Sequence, residues 1–470
     1  MNRKVVIVLV IPLLIAGLFS LFNVLEDYET FEAQIYDALL RVKPGIPEHE
    51  DILLLNIDED AIVNVGVWPW SRDIVANGLI LLREFDVGFV SLDIEYVEES
   101  PLGVNSQILN EEIPQAFDEE FTFIAQNVQD LFRALAQGQI STRDALDFVD
   151  DLTGLTQQSK EELLSEVRSI ARDNDTYFGQ TARLNGRTYF TVNMLNEDDP
   201  LVPEDLKDFA EATFTIPTVE SRLDGPVYRE AEGIRPAILT VSRYAAGAGF
   251  PNVIIDADGV RRRIELVIEH RDEHFPQLAF APAYDLLGEP TVIARPRSIV
   301  LEGAVFPGET EARNVTIPLT EDQRMLIHWP RATFEESFTH FSFYELVRNR
   351  ELEQRLTENL ENMELGGYLR YYAPPTAEDP TDIMSVYRYA EQVKNDILTG
   401  DDPAGIEEYI QARQYFFEEI GIFLQGGAEE AILADLEAIL SQPELPPELI
   451  EEYQAIQEEV ERNFAGTRDV

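Results

Sequence analysis

Asp58 and Asp93 are the carboxylates best placed for chemistry in this chain. Each closes an apolar run that reads as a buried parallel strand, residues 51–58 and residues 87–94. In open α/β sheets, ligands sit at the carboxyl ends of strands. Neighbouring strands would therefore bring the two carboxylates together to hold a cation, to bond a polar ligand or to satisfy loop N–H groups. Between them, Trp68-Pro69-Trp70-Ser71-Arg72 combines two aromatics, a fixed φ and a guanidinium. Such a cluster caps a sheet, with Arg72 fixing Asp58 or Asp93, or it lines a pocket, since Trp and Arg are frequent binding residues. Asp58, Trp68, Trp70, Arg72 and Asp93 are thus the candidate ligand-binding residues, and no catalytic set is assigned.

The elements that would position them are readable. After the Trp-Pro-Trp turn, Ile74, Leu79, Leu82 and Phe85 give a helix its apolar side. Strand, helix and strand make a βαβ unit with a right-handed crossover. Upstream, residues 26–41 read as a helix with Phe31, Ile35, Leu39 and Val42 on one face, ended by Pro44-Gly45-Ile46-Pro47. Residues 100–180 read as an inserted helical stretch, with N-caps expected at Ser141-Thr142 and again between Thr156 and Ser159. Strand pattern returns at 188–195. Residues 252–256 and 262–268 flank Asp256-Ala257-Asp258-Gly259 and read as a hairpin. A helix over 277–287 and strands at 298–301, 314–318 and 324–329 follow. Helices are expected at 344–363, 383–398, 406–424, 429–440 and 448–464, punctuated by prolines such as Pro374-Pro375.

Other clusters are better read as structure. His270-Arg271-Asp272-Glu273-His274 falls where strands should turn, and zinc would need further fixed ligands, so a solvated turn is expected. Asp256-Ala257-Asp258-Gly259 mimics the start of a calcium loop, but the remaining acidic ligands do not follow. The phosphate-loop, dinucleotide, zinc-protease and serine-hydrolase motifs do not occur. With five His and no Cys, the chain is poorly supplied for metal or nucleophile chemistry, and no cofactor or metal is expected.

The 88 acidic residues against 36 basic give a net charge of −52. No basic stripe exists to neutralise phosphate, so nucleic acid is disfavoured as a partner. Five of the 36 basic residues are lysine. Excess carboxylate with scarce lysine fits a surface adapted to salt, where self-repulsion is screened, as well as an ordinary acidic surface. A melting temperature that rises with NaCl is the mark of the first; one that falls excludes it. Residues 5–22 are the one long apolar run, behind Asn2-Arg3-Lys4. As a helix they span about 27 Å, close to one hydrocarbon core. The basic flank keeps the N-terminus inside and places the rest of the chain outside. A cleaved signal peptide would be shorter and end in a small-x-small site, whereas Ala16-Gly17 is followed by more apolar sequence.

Taken in order, Glu32, Tyr36-Asp37 and Arg41, then Ile57-Asp58, Trp68-Pro69-Trp70 with Arg72, Leu92-Asp93-Ile94, Asp256 to Arg262, and Met325-Leu326-Ile327 with Trp329 form a series. That series resembles the second class of CHASE domains, the extracytoplasmic sensors of bacterial adenylate cyclases, histidine kinases and related receptors. It covers about residues 26–98, 180–290 and 314–350. The resemblance implies an α/β sensor (a mixed sheet flanked by helices) that follows one membrane helix. It also implies a closing strand, further membrane helices and a cytoplasmic effector downstream. Two departures stand out: the helical stretches at 100–180 and 350–465, and the lack of a glycine-containing closing strand after Trp329. The chain is therefore expected to stop before an output half. The expected organisation is a tip and membrane helix at 1–25, a sensor at 26–350 and a helical subdomain at 351–470.

The leading functional reading is an anchored sensor in the bacterial plasma membrane, the input of a cyclase. A kinase input and an anchored scaffold without output remain open, and a secreted hydrolase using Asp58 and Asp93 is a weaker third. The partners expected are an undefined small molecule or physical stimulus, the membrane through residues 5–22 and a second copy in a homodimer.

Overall fold

The computed structural model describes residues 27–104, 113–169, 171–216, 219–221, 228–371, 382–400, 405–442 and 445–468, together with Pro12, Gly17 and Leu109. The expected membrane segment at 5–22 therefore lies outside the described residues apart from Pro12 and Gly17, as does Pro374-Pro375. Among the described residues no helix is long and apolar enough to cross a membrane.

The chain opens with α1 (Asp27–Val42) and strand β1 (Leu53–Asn56), then the short α2 (Glu59–Val65) and α3 (Arg72–Glu84). Asp58 caps α2 by accepting a hydrogen bond from the Ala61 amide at 2.9 Å. Strand β2 (Val90–Ser91) and strand β3 (Gly103–Val104) lead into two long antiparallel-connected helices, α4 (Ile113–Ala136) and α5 (Thr142–Ser169). Ser141 and Asp144 cap α5 reciprocally: the Ser141 hydroxyl accepts from the Asp144 amide at 3.1 Å, and the Asp144 carboxylate accepts from the Ser141 amide at 3.2 Å. A second cap at 156–159 is not used, and α5 runs on unbroken. Thr156 donates instead to the Leu152 carbonyl at 2.8 Å, so its hydroxyl is satisfied inside the helix. The excursion returns as β4 (Ala171–Arg172), which pairs antiparallel with β3 and forms a two-stranded neck at its base.

Then come α6 (Asn174–Asn185), capped by Asp173, strand β5 (Thr188–Leu195), α7 (Glu204–Thr213), strand β6 (Val219–Ser221), strand β7 (Gly233–Pro236), α8 (Leu239–Ser242) and strand β8 (Gly247–Gly249). Next are β9 (Arg263–Ile264), β10 (Val267–His270), β11 (Glu273–Pro276), α9 (Phe280–Leu286), β12 (Thr291–Arg295), β13 (Ser298–Ala304), β14 (Arg313–Pro318), β15 (Met325–Leu326) and β16 (Thr339–Ser342). The end is helical: α10 (Tyr344–Leu365), α11 (Ile383–Thr399), α12 (Ile406–Gln425), α13 (Ala428–Leu440) and α14 (Pro447–Arg468).

The class is mixed α/β, but the β structure is divided into several small sheets. β5 is central to one, with β2 and β8 parallel to it and β7 antiparallel. β14, β13, β12 and β6 form another. β1 is parallel as expected, yet its partner is β16, with Leu53 opposite Thr339 and Asn56 opposite Ser342. β1 and β2 therefore enter different sheets, and the βαβ unit expected around α3 does not form. Strand pairing is non-local, so the run of strand, helix and strand did not determine it. The hairpin expected at 252–268 is also corrected. Its turn is there, with Gly259 at φ 82° and its amide 2.8 Å from the Asp256 carbonyl. The following strand β9 pairs with β15 instead.

α3 and α6 pack on each other over the central strand, with Val75, Ala76, Leu79, Phe178, Ala182 and Phe190 buried between them. α6 approaches α8 so closely that a Cβ on Gly179 would sit 2.4 Å from the Thr240 carbonyl oxygen. Backbone cannot yield there as a flexible side chain would. Gly179→Ala is expected to cost about 3 kcal/mol, the upper end of overpacking penalties, read by urea unfolding; a cost below about 1 kcal/mol would show that the two helices separate freely. The C-terminal helices bury their own cluster around Leu360, Met363, Phe416, Phe423 and Phe464. They also share one with α3 and α6, in which Ile80 and Leu184 meet Val393, Ile397 and Tyr409.

Candidate functional site

The turn at Trp68-Pro69-Trp70-Ser71-Arg72 ends in α3 and forms one wall of a cleft of about 720 Å³; residues 94–102 form the other. The cleft is built from its floor. Arg72, the first residue of α3, is mostly buried and donates from Nη1 to Asp175 Oδ1 at 2.5 Å. It also donates to the Glu98 carbonyl, and its guanidinium lies 5.3 Å from the centre of the Tyr96 ring. Asp175 in turn accepts from the Ser100 amide at 2.8 Å and the Ser100 hydroxyl at 2.5 Å. One buried carboxylate thus ties the 98–100 loop to the start of α3.

A second layer links this floor to the neck of the helical excursion. Arg172 on β4 pairs with Asp73 at 2.7 Å and donates from Nε to Asn174 at 3.0 Å. Asn174 donates to the Ser71 hydroxyl at 2.6 Å. Gly103 on β3 faces that amide so closely that a Cβ there would lie 2.2 Å from Asn174 Nδ2. The two layers are joined through sequence neighbours: Ser71 and Asp73 flank Arg72, and Asn174 precedes Asp175, so the base of the α4–α5 excursion is braced against the cleft wall.

Tyr96 stands in the wall, packed edge-on against Phe178 with ring centres 4.7 Å apart. Burial pushes its phenol well above the ordinary tyrosine range, so it stays a neutral donor. That buried hydroxyl has no hydrogen-bond partner among the described residues. An unmet buried donor is costly on its own.

The candidate residues divide accordingly. Trp68, Trp70 and Arg72 are brought together in the cleft wall. Trp70 is also a packing residue: its Nε1 donates to the Gly66 carbonyl at 2.6 Å and its ring meets Phe343 at 5.3 Å. Asp58 is elsewhere, at the end of β1. It accepts from Ala61 and, at 2.6 Å, from the Ser342 hydroxyl at the end of β16, which together hold its carboxyl below the ordinary range. Its placement answers to loop N–H and hydroxyl groups. Asp93 is exposed on the loop after β2. The two carboxylates do not converge, because their strands belong to different sheets, and Arg72 pairs with neither. Sequence reasoning missed Tyr96, Ser100, Asn174 and Asp175. The available signal was Asp173-Asn174-Asp175, an N-cap run ahead of α6.

The His270 cluster is corrected as well. The turn itself is tight, with Arg271 and Asp272 at φ 50° and 68° between β10 and β11. His270, however, is buried, with Nδ1 2.8 Å from the Ala231 carbonyl oxygen and Nε2 3.3 Å from Glu211 Oε1. Those neighbours account for the ring as a packed core group. His274 is half-buried, and desolvation pushes its pKa down.

A second cluster joins distant parts of the chain. Arg262, only 3% exposed, grips Asp37 on α1 with Nε and Nη2 at 2.8 and 2.7 Å. It also donates to Asp256 at 3.0 Å and to Asp258 at 2.8 and 2.7 Å. The carboxylates that mimicked a calcium loop are committed to a guanidinium. Nearby, the Trp329 indole donates to the Arg261 carbonyl at 2.5 Å. Tyr36-Asp37, Asp256 to Arg262 and Trp329, far apart in sequence, are thus one assembly.

The model of the CHASE2 domain family matches residues 5–364. The chain belongs to the CHASE2 domain family. CHASE2 domains are extracellular sensory modules found in cyclase and kinase receptors. The match takes in the cleft, the Arg262 assembly and α10 almost to its end, while α11 to α14 lie past it. No curated protein and no solved structure matches this CHASE2 chain.

Proposed function

We propose that this CHASE2 chain is the extracytoplasmic input of a nucleotidyl cyclase receptor. In this reading residues 5–22 anchor it, the N-terminus is cytoplasmic, and a small molecule taken into the cleft between residues 68–72 and 94–102 is the stimulus. The observation that carries the reading is the family match, which spans both the apolar run and the cleft. The cleft adds chemistry. Trp68 and Tyr96 line it with aromatic rings, and Arg72 lines it with a guanidinium held in place by Asp175. The apolar run with its basic flank supports the anchor and its orientation.

A stimulus shifts a receptor only by binding its two states unequally. The cleft is suited to that, because its loop is held by hydrogen bonds to Asp175 that a ligand bonded to Arg72 would rearrange. The test is a panel of amines, carboxylic acids and sugars at millimolar concentration, read by melting temperature and tryptophan fluorescence. One class should raise the melting temperature of the wild type. Trp68→Ala should weaken that response at least about tenfold, as loss of a binding aromatic does. A response unchanged in Trp68→Ala would remove the cleft as the binding site.

A further inference from the structure

α1 is fastened to the body by its polar face. The Tyr36 hydroxyl donates to the Ile327 carbonyl at 3.3 Å, and Asp37 takes the bidentate grip of Arg262. Arg331 donates to the Arg41 carbonyl at 3.2 Å and to the Lys43 carbonyl, at the helix's end. Ala33, Tyr36, Asp37 and Leu40 are its half-buried side. Phe31, Ile35, Ala38, Leu39 and Val42 are exposed away from that side. An amphipathic helix of a globular protein ordinarily puts its apolar stripe on the core; here the stripe faces outward.

The spacing of that stripe is informative. Positions 31, 35, 38 and 42 alternate by four and three, the a/d pattern of a two-stranded coiled coil. In the sequence the same register runs back through Tyr28, Val24 and Leu21 and reaches Leu14 and Ile7 in the apolar run. We propose that α1 pairs, parallel and in register, with α1 of a second copy of this chain, through Phe31, Ile35, Ala38 and Val42.

Two observations select a second copy over other occupants. The seam extends in sequence over the residues ahead of α1, a length that a like segment matches position for position. No seam position from Ile7 to Val42 carries a charge, in a chain of net charge −52. It is the strip on which an equally acidic copy can approach without opposing carboxylates. A lipid surface would instead call for Lys and Arg along the whole stripe, whereas Asp27, Glu29 and Glu32 lie beside its first turns and Arg41 and Lys43 flank only its last residue, Val42. A two-fold parallel pair sets each residue against its own equivalent, as an isologous interface requires. The pairing does not depend on the ligand cleft.

The chain has no cysteine, so single cysteines report position without background. Phe31→Cys, Ile35→Cys, Ala38→Cys and Val42→Cys, in the purified full chain in detergent, should form disulfide dimers on oxidation. Their yield should be at least about fivefold that of Ala33→Cys and Leu40→Cys, which face the body, as the a/d seam dictates. Sedimentation velocity should show a wild-type dimer, and Ile35→Asp a folded monomer whose melting temperature no longer depends on protein concentration, as the wild type's does, since Ile35 is exposed in the single chain. Equal yields at all six positions, a maximum at Ala33 or Leu40, or a wild-type monomer would overturn the proposal. So would an Ile35→Cys thiol that fails to cross-link and is shielded only when lipid vesicles are added.

Discussion

Arg262→Ala is expected to destabilise the protein by about 3 kcal/mol and to free α1 from the body. Removing one partner of a buried ion pair typically costs about 3–5 kcal/mol, because the opposite charge stays behind. Here three carboxylates stay behind, Asp37, Asp256 and Asp258, with side chains 31%, 14% and 21% exposed. Water still reaches them, which places the cost at the low end. Proteolysis or hydrogen exchange of residues 27–42 should rise in the variant, separating release of α1 from general loosening. The pH dependence has a definite sign. Hydrogen bonds from Arg262 lower the Asp37 carboxyl and bring that of Asp258 to about 2. A depressed carboxylate contributes stability that is complete above its unfolded pKa, near 4, and is lost as pH falls through its folded value. The gap between wild type and Arg262→Ala should therefore close from about pH 4 down to about pH 2. A gap that stays constant across that range would show that Arg262 acts through packing alone.

Arg413→Ala should be more damaging still, about 4 kcal/mol by urea unfolding. Arg413 on α12 pairs with Glu84 at the end of α3 at 3.2 Å and with Glu353 on α10 at 2.6 Å. All three side chains are at least nine-tenths buried, and the fully buried Tyr409 donates to Glu84 as well. The three charges neutralise one another only in part, and the loss of Arg413 leaves two buried carboxylates unpaired. Replacing the whole triad (Glu84→Leu, Glu353→Leu and Arg413→Met) should recover most of the loss, because apolar isosteres of buried ion triads are close to neutral or stabilising. A triple variant no more stable than Arg413→Ala would show that shape, rather than charge, sets the contact. The consequence reaches beyond stability. Glu84 ends the helix that begins at Arg72, so α12, which lies past the family match, is fixed to the helix that carries the cleft wall.

Local features were the legible ones. The five C-terminal helices carry clear apolar periodicity between breakers, and their observed bounds lie within a few residues of those read from sequence. The Asp256 to Gly259 turn and the Ser141 cap were readable for the same reason: the signal and its partner are neighbours. Failures came where partners are distant. β16 is short and half-exposed, so Thr339–Ser342 gave no strand signal, and with it went the true partner of β1. That one omission placed Asp58 beside Asp93, where the structure separates them. Asp175 falls in the stretch whose pattern reads as a helical excursion, yet it holds Arg72 and Ser100 of the cleft in place. Arg262 and Asp37 both stood among the family motifs, but a contact across 225 residues leaves no trace in local pattern.

The central claim is that the body of this CHASE2 chain, cleft included, faces the outside of a membrane that residues 5–22 cross. Reaction of single cysteines with a membrane-impermeant maleimide in spheroplasts tests it most directly. Val63, 73% exposed beside the cleft-bearing turn, reports the body, and Asn2 reports the basic tip. Val63→Cys should label in intact spheroplasts, and Asn2→Cys only after permeabilisation. Labelling of Asn2→Cys from outside, or protection of Val63→Cys until lysis, would contradict the account.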